Sequence, residues 1–175
     1  MQFSFSSAQE SDYCSYSECF HNEEFQYMMY GNDPLKLHQL EKYISRNNTD
    51  LKFVASIEER DERIRIGFAH FYLREDGRYS YVGGLHPTFF NSGVGVSASV
   101  SAISLFFDIY PNIDLVTGIF KHNTRSLRIH LALGFKQFRE TEEKVILALK
   151  REDFNNDFVR SVRTRLEYRL IDNYR

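Results

Sequence analysis

The sequence predicts an α+β fold: a central mixed, mostly antiparallel sheet of about seven strands, with one βαβ unit and helices on both faces. Three observations lead there. "EDGR" at 75–78 carries an Asp-Gly hairpin signal between two β-rich runs, so antiparallel pairing dominates the first half. A strand at 79–86, an apolar helical run at 94–109 and a strand at 114–121 then form one βαβ unit, whose crossover makes those strands parallel. Finally, "QFRETEEKVILALKRE" reads as a closing hairpin.

The remaining elements follow in order. "QFSFSSA" alternates like a first strand, and two helical stretches come next, at 9–22 and 34–46. Asp33-Pro34 opens the second as an N-cap and first-turn pair. "LKFVASIEE" and "RIRIGFAHFYL" are strands joined by the charged turn around Arg60, Asp61 and Glu62. "TRSLRIHLALG" is a short helix after the βαβ unit. No repeat, low-complexity tract or Pro/Gly linker divides the 175 residues, so one domain over 1–175 is expected, with 153–175 a C-terminal helical extension. In this stretch Phe158, Val162, Leu166 and Ile171 form an apolar stripe, amid six arginines from Arg151 onward. Packing on the domain itself is the first reading of that stripe, and a homodimer contact is the alternative.

Composition excludes several functions. A net charge of −2 argues against a nucleic-acid binder. No apolar run approaches the length that spans a bilayer, and the first residues lack the basic and apolar regions of a secretory signal, so no membrane role is expected and the cytoplasm is the expected compartment. Cys14 and Cys19 are the only cysteines, without ligand-spaced partners, so neither a disulfide scaffold nor a metal site is expected.

The chemistry concentrates in "FFNSGVGVSASVSAISLFF", residues 89–107, where two glycines and a run of small side chains start a helix. "GVGVSA" matches the G-x-G-x-x-A dinucleotide fingerprint, but the next strand ends Phe120-Lys121-His122, with no carboxylate for a ribose. No Gly-Lys-Ser/Thr follows, which removes a Walker-type loop. Paired glycines Gly83 and Gly84 inside the preceding strand predict a bulge or a close backbone approach. A bulge would splay that strand from its parallel neighbour, while the helix start at 90–95 offers amides to phosphate. An extended ligand with a pyrophosphate at one end and an amide-bearing arm fits both features, and coenzyme A has that shape.

At these residues the chain resembles the GNAT superfamily of acyl-CoA-dependent N-acetyltransferases. "FNSGVG" supplies Gly93 and Gly95 of the family's Gln/Arg-x-x-Gly-x-Gly/Ala motif. "NTRSLRIHLALGF" matches a second signature through Asn123, Ser126, Ile129, Gly134 and Phe135. The N-terminal "ECFHNEEFQYMMYG" and the late "LALKREDF" look most like the branch that includes ribosomal-protein N-terminal acetyltransferases. The resemblance implies a GNAT-like sheet, acetyl-CoA as cosubstrate without a metal, and an amine-bearing acceptor. It implies that the cosubstrate lies on Leu85, His86, Asn91, Ser92, Gly93, Val94, Gly95, Val96, Asn123 and Ser126, with amides near Gly84 and Leu85 polarising the thioester. His130 stands where the family has the Tyr that protonates the leaving thiolate, so it is the catalytic candidate, expected to titrate near 6.5.

Two departures shape the expected substrate. Phe90 replaces the motif's Gln or Arg, leaving the phosphates to backbone amides, and Ser80 replaces the Glu that relays a proton in many relatives. Glu75 and Asp76 belong to the turn. Without a carboxylate base the acceptor must already be neutral. At pH 7 roughly a tenth of α-amino groups are neutral, against about one lysine in a few thousand. An α-amino group is therefore favoured, with an amino sugar or other small amine as the alternative, and a catalytically inactive acyl-CoA-binding module as the reading from another class. Charge is uneven as well: 1–35 has acids and no Lys or Arg, and 115–139 has Lys and Arg and no acid. An acidic mouth for a cation and a basic rim for phosphates would follow.

Overall fold

The computed structural model describes residues 2–9, 12–33, 50–59, 62–163 and 167–170. Strands β1 (Gln2–Ser7), β2 (Leu51–Glu59), β3 (Glu62–Leu73), β4 (Tyr79–Leu85), β5 (Leu115–Phe120), β6 (Lys136–Glu140), β7 (Lys144–Leu149) and β8 (Glu167–Leu170) form one sheet, in the order β6-β7-β5-β4-β3-β2-β1-β8. Helices α1 (Tyr13–Phe20), α2 (Glu23–Tyr30), α3 (Val94–Ile109), α4 (Thr124–Ala132) and α5 (Asn156–Arg163) pack around it. Pairing is antiparallel except between β4 and β5 and between β1 and β8. The expected α+β architecture and its βαβ unit are both present.

Alternation along the strands sorts side chains onto two faces. Phe3, Phe5, Phe53 and Phe71 bury against α3, which is itself buried almost continuously from Val100 to Phe107. Val54 and Phe68 point the other way, under Tyr16, Cys19, Phe20 and Phe25 of α1 and α2. Among the described residues no helix is long and apolar enough to cross a membrane.

Three boundaries differ from the sequence reading. The helix expected at 9–22 is α1, shorter at both ends and closed by His21, and α2 over Glu23–Tyr30 is a further helix the sequence reading did not include: Asn22 caps it, its side chain accepting from the Phe25 N–H at 2.8 Å, and Glu23 and Glu24 complement the dipole. Gly31 then stops α2 at φ +64, where a Cβ would press into the Phe120 ring. The helix expected at 34–46 lies outside the described residues. Among the described residues the C-terminal extension carries an α-helix over Asn156–Arg163 and then a strand: β8 pairs with β1 in parallel register, Gln2 opposite Glu167, and covers an edge that β1 would otherwise expose. Alternation in "EYRL" is too short to stand out among the surrounding arginines. In α5, Phe158 of the stripe packs, partly buried, against the main core beside Val159, which is 4% exposed; the side chains of Val162, Leu166 and Ile171 lie outside those described.

Gly134, at φ +102, ends the α4 turn with the Asp153 carbonyl seated where a side chain would begin. Gly134→Ala should therefore cost more than about 2 kcal/mol, by backbone strain and a clash with main chain. A denaturant midpoint equal to wild type would contradict this.

Candidate active site

β4 and β5 pair only at Tyr79 with Leu115 and Ser80 with Val116, then part. The register of β4 with β3 runs unbroken through Gly83 and Gly84, so the expected bulge at the glycines is not there; the strands separate without one. The glycines instead admit neighbouring side chains. The Tyr81 hydroxyl lies 2.6 Å from where a Cβ on Gly83 would sit, and the rings of Phe68 and Phe25 press onto Gly84.

The separation leaves backbone groups facing the gap. The Tyr79 N–H donates to the Asp114 carbonyl on the β5 side, and alternate residues point the same way, so Tyr81, Gly83 and Leu85 present their amides to the opening. Gly84 faces β3 opposite Phe68, as the His86 N–H does in donating to the Ile66 carbonyl. The amides available to polarise a carbonyl are thus those of Gly83 and Leu85; Gly84, named from the sequence, is spoken for.

A cavity of about 220 Å³ runs through this gap, lined by Gly83, Leu85, Gly95, Val96, Asn123, Ser126 and His130 among others. At the α3 start Gly93 is an αL N-cap at φ +81; the Val94 N–H turns to the Ser92 hydroxyl and the Val96 N–H to the Gly93 carbonyl, so of the first three α3 amides that of Gly95 is left for an incoming anion. Ser92 accepts from the Val94 N–H and donates to the Phe89 carbonyl, shaping the turn, and the Val94 side chain is buried beneath it. Asn91, at φ +64, accepts from the Arg125 guanidinium at 2.7 Å, which brings a cation beside the turn. Phe90 lines the cavity wall. His86 stands apart: it faces a second cavity, pairs with Glu18 at 3.2 Å and caps the short turn at Pro87–Phe89.

Asn123 caps α4, accepting from the Ser126 N–H at 3.1 Å, while its amide donates to the Met28 carbonyl. His122 stacks on Tyr27 at 4.1 Å between ring centres. These contacts tie α2 to the start of α4, and Met28 and Met29 roof the cavity. Glu24 is its only lining carboxylate among the described residues. Ser80 is outside it, 3.4 Å from Arg74, and Asp76 is held by Arg78 and Arg74 with its carboxyl depressed to about 2.

His130 lies at the inner end, 8% exposed, between the rings of Tyr81 and Phe135. Its Nδ1 sits 2.8 Å from the Ser126 carbonyl, which can only accept, so the ring proton is on Nδ1 and Nε2 carries the lone pair. Burial pushes its pKa down to about 4, against the opposing pull of that hydrogen bond. An imidazole titrating near 6.5, as the sequence suggested, is corrected by this burial: the ring is neutral at neutral pH. Burial also holds the Tyr81 phenol above its ordinary value, its hydroxyl 3.3 Å from Ser99. Tyr81, Ser99 and Arg125 were not assigned from the sequence; for Tyr81 the available signal was its place two residues before Gly83, on the same strand face.

His70 is the other buried imidazole among the described residues, between the Tyr16 and Tyr72 hydroxyls, with its pKa lowered to about 3 by burial and the Lys52 charge. Both histidines are neutral when folded and protonate on unfolding below about 6.5. The unfolded chain thus binds more protons between about pH 4 and 6.5, so stability falls as pH falls through that window, by on the order of 3 kcal/mol per histidine at its lower end. Denaturant titrations at about pH 7 and about pH 5 should show the loss; equal stability would contradict the two shifts.

The Acetyltransferase (GNAT) domain model matches residues 4–136. No curated protein matches the chain in sequence. Similar solved structures include spermidine N-acetyltransferase from Vibrio cholerae in complex with CoA and spermine, at TM-score 0.72 and 12% identity, covering 89% of this chain and 99% of that one. A domain from Methanocaldococcus jannaschii DSM 2661 superposes at 0.72 with 16% identity, covering 84% and 97%. Aminoglycoside acetyltransferase AAC(6')-Ib, in complex with coenzyme A, superposes at 0.69 with 16% identity, covering 86% and 96%. At such identities these likenesses speak for the fold, whereas the domain match spans most of the chain and both signatures: the chain belongs to the GNAT acetyltransferase family.

Proposed function

We propose that the protein is an N-acetyltransferase that moves the acetyl group of acetyl-CoA directly to an amine, with both substrates bound together. One observation carries this reading: a single cavity joins the glycine-lined start of α3, the amides of Gly83 and Leu85, and the free Nε2 of His130. Gly93, Gly95 and Arg125 suit a pyrophosphate, and Gly83 and Leu85 suit a polarised thioester carbonyl. The amine nitrogen attacks the thioester carbon and the carbon–sulfur bond breaks. The nitrogen's proton passes to His130 Nε2 and from there to the departing sulfur, so the imidazole serves as acceptor first and donor second. No charge on any described lining carboxylate other than Glu24 assists, which favours an acceptor already neutral, above all an α-amino group. That preference agrees with the resemblance to the ribosomal-protein branch. Glu24 at the roofed end supports the alternative of a small cationic amine or amino sugar, the class named for the polyamine and aminoglycoside enzymes of this fold. Release of CoA thiol with acetyl-CoA and a panel of peptides and small amines tests the reading; binding without release identifies an inactive acyl-CoA-binding module.

A further inference from the structure

Beyond the gap, the cavity continues under the sheet, between its α3 face and the first two turns of α3. Its walls are Phe5, Ala55 and Ala69 on the sheet and Gly95, Ala98 and Ser99 on the helix. β1, which supplies Phe5, lies three strands from β4, roughly 14 Å at ~4.8 Å per strand. Phe5 has no solvent exposure and Ala55 and Ala69 have almost none, so this end is enclosed by core residues. One row further along the same face the core is dense: Phe71 stacks on Phe106 at 4.8 Å and on Tyr81 at 5.2 Å. The space is therefore local, where small side chains on both walls face each other. An unfilled interior void forfeits dispersion contacts and is seldom kept. A polar atom also opens on the cavity: His130 is more than nine-tenths buried, and its Nε2 has no hydrogen-bond partner among the described residues.

We infer that this inner end is an acyl chamber, and that the site takes straight-chain acyl-CoA donors longer than acetyl. The inference rests on the acyl-CoA reading above. The bonds made and broken are those of acetyl transfer, and the added methylenes travel unchanged with the carbonyl. Two carbons past the sulfur occupy little of a space that reaches to β1. The run of small residues that opens α3 thus shapes the chamber as well as the phosphate turn.

Calorimetry with free CoA, acetyl-CoA, butyryl-CoA and hexanoyl-CoA tests it on the wild-type protein and on Ala98→Leu, which narrows the chamber from the helix side. Each methylene that enters should tighten binding by up to about fourfold, the equivalent of ~0.8 kcal/mol per buried CH₂. Hexanoyl-CoA should bind wild type at least roughly tenfold more tightly than acetyl-CoA, and Ala98→Leu should bring that ratio toward one. Hexanoyl-CoA binding no tighter than acetyl-CoA on wild type overturns the chamber, whatever the variant does. Loss of free CoA affinity in Ala98→Leu equal to the loss for hexanoyl-CoA gives the space to the pantetheine arm and overturns it too. Failure of free CoA to bind wild type removes the acyl-CoA reading itself.

Discussion

Gly95→Glu should leave a folded protein that has lost acetyl-CoA binding by roughly a hundredfold or more. A side chain at Gly95 meets only the far end of Leu85, at 3.2 Å, and that flexible group can give way, so the fold survives. A carboxylate at the second residue of α3 would sit beside the helix start proposed to hold the phosphates, and like charges brought together cost several kcal/mol. Calorimetry on a variant with a wild-type melting curve checks this. Retained affinity would move the phosphates away from the α3 start.

His130→Phe should bind acetyl-CoA as wild type does and turn over about a hundredfold more slowly, the lower range for a lost acid–base group. Phe keeps an aromatic ring against Tyr81 and Phe135 while removing both ring nitrogens and with them the bond to the Ser126 carbonyl. His130→Tyr, which offers a proton donor but no base at neutral pH, should recover only part of the rate. The pH profile carries a second check. With the imidazole pKa near 4, His130 is already neutral across the working range, so activity should rise with pH as the acceptor amine loses its proton. A fall above about pH 6.5, absent in His130→Phe, would mean that the imidazole works as a cation and that its burial has been misread.

The βαβ unit was legible because two independent signals coincide: an apolar helix with glycines at its start and β-rich runs on either side. Asn123 and Ser126 were equally plain, since the same residues cap α4 and border the cavity, and local capping chemistry needs no tertiary information. Gly83 and Gly84 show where sequence reading stops. Missing side chains signalled a close approach, but not that Tyr81 and Phe68 of the same protein make it. The parting of β4 from β5 arises from where pairing ends, a property of two strands that neither one encodes alone. Arg125 was legible only as one of several basic residues; its contact with Asn91 depends on the fold bringing the α4 start beside the α3 turn. His130 was found by position in a motif, and its charge state was missed because burial comes from neighbours on β4 and after α4.

Simultaneous measurement of CoA thiol release and of the acceptor's mass tests the central claim most directly. Wild-type protein is incubated with acetyl-CoA and a panel of N-terminal peptides, spermidine and an aminoglycoside. At least one amine should gain a single acetyl group for each thiol released, with both signals lost together in His130→Phe. Tight acetyl-CoA binding with no thiol release across the panel, or thiol release with no acetylated amine, would contradict direct transfer to nitrogen.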